Sequence, residues 1–252
     1  MSPAPGAART AALTIVALVA FASNSILCRL ALGEGAIDAA SFTTIRLASG
    51  ALTLACILAI GARRVRLAGG WLSALALFLY AAPFSCAYTH LAAGTGALIL
   101  FGAVQATMIA AGLRGGERPH RLEWLGLAVA LAGLVYLVAP GVRAPSPAGA
   151  ALMAAAGVAW GIYSLRGSGQ PQPGSAPRTF ASPIATTAGN FLRAVPLALL
   201  LSLAFSRDAH VSPRGALLAV VSGAITSGLG YVVWYAALRK LSATRAATVQ
   251  LA

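Results

Sequence analysis

The chain has 252 residues, 59% of them hydrophobic and only 9% charged. Soluble domains carry about 25% charged residues, so a water-soluble globular fold is excluded. The formal net charge of +13, from 18 basic and 5 acidic residues, would point to nucleic acid in a soluble protein; here the basic residues lie between long apolar runs with no basic stripe interleaved with aromatics, and no nucleic-acid partner is expected.

The apolar runs read as membrane spans, because about 20 apolar residues in a helix cross a hydrocarbon core of about 30 Å. Met1–Thr10 is a short tail holding Arg9, and the first span is Ala11–Leu32. Within it, Ala20-Phe21-Ala22 resembles a signal-peptide cleavage site, but the apolar run resumes beyond it, which favours a retained span. The loop Gly33–Asp38 carries Glu34 and Asp38 and no basic residue. The second span, Ala39–Gly61, is followed by Arg63, Arg64 and Arg66; the third, Gly69–Leu91, contains Pro83. Leu91–Leu113 and Leu122–Val138 form the fourth and fifth spans, around a loop with Arg114, Glu117, Arg118 and Arg121. A Pro/Gly-containing loop runs from Pro140 to Pro147, and Ala148–Leu165 is the sixth span. The Gly-, Pro- and Ser-rich linker Arg166–Ser182 is of a flexible composition. Pro183–Ser206 and Arg214–Leu238 are the seventh and eighth spans, and a ninth apolar run follows Arg239, Lys240 and Arg245 up to Ala252.

With the N-terminus in the cytoplasm, inside loops hold Arg9, Arg63, Arg64, Arg66, Arg114, Arg118, Arg121, Arg166, Arg178, Arg239, Lys240 and Arg245. Outside loops hold only Arg143, Arg207 and Arg214. This bias predicts a multi-pass protein of a bacterial-type cell (inner) membrane with a cytoplasmic N-terminus. The remaining basic residues, Arg29, Arg46 and Arg193, fall within spans.

The chain also repeats itself. Arg46 in TTIRLASGALTL and Arg193 in GNFLRAVPLALL lie 147 positions apart (193 − 46), as do Tyr88 and Tyr235 (235 − 88). That offset moves the pattern by five spans, an odd number, so the two halves are expected to be inverted relative to each other. By that symmetry, Ala252 falls in mid-span, and roughly 35 further residues are expected to complete the second half.

FASNSILCRLAL, SFTTIRLASGAL and GALILFGAVQATMIAAGLRGGERPHRLEWLGLAVALAGLVYLV, followed by VAWGIYS, the Arg193 segment and GYVVWYAALRKLSATRAA, resemble the EamA-like family of the drug/metabolite transporter superfamily. The resemblance spans nearly the whole chain and rests on the order and spacing of these segments. It implies an all-α polytopic membrane helix bundle of two inverted five-helix repeats, here residues 11–140 and an incomplete second repeat at 148–252. It also implies export of small metabolites such as amino acids, or of drug-like molecules.

A central arginine in a span costs about 2.5–3.5 kcal/mol on the insertion scale, so it needs a partner, a wet cavity or an anionic ligand. Arg46 and Arg193 are therefore candidates to hold a substrate carboxylate, the alternative being bonds to helix-end carbonyls. Arg29, near a span end, reads as snorkelling. Gln105 and Asn24 are candidate cavity residues; Asn190 reads as interhelical glue. Trp160 and Tyr163 are candidate pathway residues, with Trp234. Tyr88 and Tyr235, near span ends, fit an interfacial aromatic belt, and His90 sits at the outer edge. Glu117 is read as shaping the start of the fifth helix. Cys28, Cys56 and Cys86 form no CxxC and are expected as free thiols.

Glu34, Asp38, Glu117, Glu123 and Asp208 all lie in loops or at span edges. A proton-coupled exporter of cationic drugs wants a carboxylate within the membrane, which makes that function the secondary expectation. No HExxH, paired-carboxylate or phosphate-loop pattern occurs, so neither enzyme nor ATP-driven pump is expected, and no metal or cofactor. The primary expectation is alternating-access export of a small, polar, amino-acid-like metabolite. A non-transporting scaffold or truncated remnant is the third reading. The partners are the lipid bilayer and a small-molecule substrate, with pairing into a homodimer left open.

Overall fold

The computed structural model describes residues 5–60, 67–117, 121–138, 145–167 and 182–250. Arg63, Arg64, Arg66, Arg118, Pro140, Arg143, Arg178, Ala252 and most of the Arg166–Ser182 linker lie outside the described residues, with the expectations placed on them. The rest is helical: α1 (Pro5–Gly33), α2 (Ala39–Ile60), α3 (Trp71–Tyr88), α4 (Ala93–Arg114), α5 (Arg121–Val138), α6 (Pro147–Gly167), α7 (Pro183–Ala204), α8 (Pro213–Val221), α9 (Gly230–Leu238) and α10 (Ala243–Val249). A π-helical segment, Ser222–Leu229, joins α8 to α9. Seven spans among the described residues are long and apolar enough to cross a bilayer: Ala8–Gly33, α2, α3, α4, α6, α7 and Pro213–Leu238. The protein is a multi-pass all-α membrane bundle.

Its surface carries the apolar bulk. Ile60, Leu203 and Leu52 are 85%, 69% and 66% exposed, as a lipid-facing wall requires. Inside, alanine, glycine, serine and threonine let backbones approach, the usual solution where lipid supplies no hydrophobic drive between helices. Helix starts are capped by short polar side chains. Ser182, Ser212 and Ser242 accept the N–H of Ala185, Gly215 and Arg245, and prolines follow the first two. Asp38 accepts the N–H of Ser41 (2.8 Å) and that of His210 (3.0 Å), tying the α1–α2 loop to the segment before α8. Ile37 and Val211 form a β-bridge there, and Arg214 pairs with Glu34 at 2.6 Å.

α1 is continuous through Ala20-Phe21-Ala22, and Phe21 is buried, in keeping with the retained span. The structure corrects several other expectations. The third span starts later, at Trp71, because Gly69 takes φ +82°, where a Cβ would also strike the Asn190 side chain. The eighth span is not one α-helix but is interrupted by the π segment. Tyr88 and Tyr235 are buried rather than interfacial, and the Tyr235 hydroxyl donates to the Tyr163 carbonyl (3.2 Å). Arg29 is half-buried, and its Nη1 donates to the Tyr88 carbonyl at the end of α3 (2.9 Å).

Glu117 serves α10, not α5. Its carboxylate accepts the N–H of Ala243 (2.8 Å), the N–H of Thr244 (3.0 Å) and the Thr244 hydroxyl (2.6 Å). Partial burial pushes this carboxyl up, but the three hydrogen bonds outweigh it and hold it below the usual range.

The helices sort into two groups by packing. α1, α2, α7 and the α8–π–α9 span pack on one another; α3, α4, α6 and α10 form the second group, and α3 against α7 is the main seam between them.

Candidate functional site

Arg46 sits where α2 and the π–α9 span meet α3, 1% exposed. α2 places it two turns from its start, and the π segment, α9 and α3 each deliver one partner. Nε donates to the Ser227 hydroxyl at 2.9 Å, and Nη2 donates to Tyr231 at 2.7 Å and to Tyr80 at 3.0 Å. The guanidinium carbon lies 5.1 Å from the ring centroids of both Tyr80 and Phe84, within cation–π range. Nη1 is buried with no hydrogen-bond partner. Among the described residues no carboxylate is bonded to it, and the one ion pair there is Arg214–Glu34 on the surface. The result is a buried cation neutralised only by hydroxyl dipoles and ring faces, with one donor in reserve.

The π segment explains the arrangement. Ser222-Gly223 and Ser227-Gly228 recur five residues apart, and in an i→i+5 register such residues lie nearly above one another. The glycines face α2. A Cβ on Gly223 would collide with the Arg46 carbonyl, and Gly228 lies against Gly50. The hydroxyls converge on Asn24 of α1: Ser222, Thr226 and Ser227 donate to its Oδ1 at 2.7, 3.1 and 3.4 Å. The Asn24 amide donates to the Tyr80 hydroxyl at 3.4 Å. Asn24 therefore anchors both Ser227 and Tyr80, two of the three acceptors of Arg46.

Beside this cluster lies a narrow cavity lined by Phe21, Ser25, Tyr80, Phe84, Leu100, Phe101 and Trp160. Trp160 packs with tilted rings 4.6 Å from Tyr231 and 5.0 Å from Tyr80, and its indole N–H donates to Gln250 (2.9 Å). Tyr163 is 5.5 Å from Trp160 and receives a 3.5 Å hydrogen bond from Asn190, which also accepts the N–H of Gly70.

The structure thus brings Arg46, Asn24, Trp160 and Tyr163 together. Gln105 lies one turn beyond Phe101 on α4; its amide reaches the Ala247 carbonyl at 3.5 Å, and its Oε1 is buried without a partner. Arg193 stands apart, half-buried, its Nη1 donating to the carbonyls of Gly189 (2.7 Å) and Ala68 (3.2 Å). Sequence reasoning missed Tyr80, Tyr231, Ser227 and Gln250. The paired Ser-Gly dipeptides were a usable signal for Ser227; a lone tyrosine in an apolar helix carried none.

A family model for the EamA-like transporter family matches residues 147–252. The chain is 52% identical over 244 residues to the uncharacterized protein PA1977 of Pseudomonas aeruginosa, spanning 96% of this chain and 82% of that relative. One solved crystal structure superposes with a TM-score of 0.71 at 20% identity, covering 95% of this chain and 85% of its own, which speaks to the fold. With seven apolar spans around a central polar cluster, the chain belongs to the EamA-like transporter family.

Proposed function

We propose that the protein is a secondary transporter that exports a small, polar, amino-acid-like metabolite by alternating access, with the Arg46 cluster as its binding site. The observation that carries this reading is the buried guanidinium with an unpartnered Nη1 and, among the described residues, no carboxylate bonded to it. A buried charge without its counter-ion is costly, and a substrate carboxylate is the chemistry that relieves it. The narrow cavity beside it, lined by Tyr80, Phe84 and Trp160, has room for about one water, and the helix groups would have to part there to admit a metabolite. Asn24, Trp160 and Tyr163 frame the site. Gln105 offers an acceptor at its far side. Arg193, bonded to two carbonyls, serves as a brace. The multidrug-cation reading is disfavoured, since a cation would meet Arg46 with no buried carboxylate among the described residues to hold it.

The two packing groups supply a basis for alternating access. The α3–α6 pairing in one has a counterpart in α1 against the α8–π–α9 span in the other, which supports reading 11–140 and 148–252 as two inverted repeats. The positive-inside bias puts the N-terminus in the cytoplasm of a bacterial-type cell membrane. The test is an export assay in cells expressing the protein, with amino acids and organic cations compared at equal concentration. Arg46-dependent export of zwitterions supports the reading; export of cations alone sinks it.

A further inference from the structure

We infer that Arg46 is a latch between the two helix groups, that Tyr80 is the specificity-determining residue it must release, and that the key is a ligand carboxylate. This rests on the central-site reading above. Arg46, Ser227 and Tyr231 belong to the α1–α2–α7–α9 group, whereas Tyr80 belongs to α3, in the other group. The guanidinium therefore makes two hydrogen bonds within its own group and one across the seam: Nε to Ser227, Nη2 to Tyr231, and Nη2 to Tyr80.

The cross-seam bond is the weakest of the three by geometry. Nη2 is shared between two hydroxyls and lies nearer Tyr231 (2.7 Å) than Tyr80 (3.0 Å). The Tyr80 oxygen is crowded as well, receiving Tyr231 at 3.3 Å and Asn24 at 3.4 Å besides Arg46. A carboxylate can engage two guanidinium nitrogens at once and is a stronger acceptor than a neutral phenol. On binding Nη1 it competes for Nη2 as well, and the acceptor most readily given up is Tyr80. The ring faces of Tyr80 and Phe84, both at 5.1 Å, guide that swing. Binding therefore loosens the seam at its centre. A cation offers no acceptor and cannot turn the latch; a neutral guest offers only a weak one.

The experiment compares Tyr80→Phe with Tyr231→Phe. Each deletes one hydroxyl bonded to Nη2 and keeps its ring, but Tyr231→Phe removes a single cross-group bond, its own to Tyr80 (3.3 Å), whereas Tyr80→Phe removes those from Arg46, Asn24 and Tyr231 together. Spin labels go on exposed positions of the full chain, with Cys28, Cys56 and Cys86 replaced by Ala. One pair is Ile60→Cys with Leu113→Cys; the other is Leu203→Cys with Thr89→Cys. Distances are recorded by pulsed electron paramagnetic resonance in lipid nanodiscs. Tyr80→Phe should shift or broaden both distributions without ligand, while Tyr231→Phe, which leaves the Arg46–Tyr80 bond in place, should change them far less. In the parent, sodium acetate should produce the same shift, and methylammonium chloride at equal ionic strength should not; this arm needs no tyrosine variant to fold. Identical behaviour of the two tyrosine variants, or no response to acetate, overturns the latch. If export still depends on Arg46 in that case, the central binding site survives and only the latch is lost.

Discussion

Replacing Gly223 by Ala tests whether the π segment is what holds Arg46 in place. A Cβ at this position would run into the Arg46 carbonyl and the Ser49 hydroxyl, and the Gly223 carbonyl is already close against Gly50 of α2. Overpacking of this kind costs about 1–3 kcal/mol. Alanine favours helical structure over glycine by about 1 kcal/mol, which sets the net cost at about 0–2 kcal/mol. For a chain of this size each kcal/mol shifts the melting temperature by about 2–4 °C. Gly126→Ala is the control: nothing lies within 4 Å of a Cβ there, so the helix-propensity gain stands alone. The assay is thermal unfolding of both variants in the same detergent. Gly223→Ala should melt below Gly126→Ala by about 2–12 °C, the span of these terms together. Equal melting temperatures would refute the claim that α2 and the π segment meet through this glycine.

Asn24→Asp puts a carboxylate one hydroxyl away from the guanidinium, through Ser227. It should keep or raise stability and abolish stabilisation by zwitterionic ligands, as seen in ligand-dependent melting; retained ligand stabilisation contradicts the site. Glu117→Gln should loosen the cap on α10. Because hydrogen bonds hold the Glu117 carboxyl below its unfolded value, its stabilisation is complete above the ordinary glutamate range and fades as pH falls below about 4.5. The gap between parent and Glu117→Gln melting temperatures should therefore shrink on acidification; a constant gap argues against it. For topology, a maleimide added outside intact cells should label Ser146→Cys and spare Lys240→Cys in a cysteine-free background, and the reverse labelling would invert the assignment.

The spans were legible because lipid demands long apolar runs, and Arg46 because a charge inside one has to be accounted for. Its surroundings were not. Tyr80, Tyr231 and Ser227 meet it only through the register between α2, α3 and the π segment, across 34 to 185 residues. An α-helical reading of the eighth span turns Ser222 and Ser227 to different faces, which hid their common partner Asn24. Distance from a span end misled on Tyr88 and Tyr235, since it says nothing of which way a ring points, and both rings point inward. Glu117 sits near α5 in sequence, but its partners lie 126 and 127 residues away.

The central claim is that Arg46 meets the substrate, and its test is export per folded molecule in Arg46→Leu, with melting temperature measured alongside. Leucine forfeits three hydrogen bonds to hydroxyls, worth about 0.5–3 kcal/mol each, but removes a burial penalty of about 2.5–3.5 kcal/mol. Ser227 keeps Asn24, and Tyr231 keeps Tyr80, so these hydroxyls are not stranded. The balance runs from about 2 kcal/mol more stable to about 6.5 kcal/mol less stable, so the variant should melt between about 8 °C above and about 26 °C below the parent, while export per folded molecule disappears. Arg46→Lys, which keeps the charge without the planar fork, should fold and export weakly. Full export per folded molecule in Arg46→Leu would contradict the account.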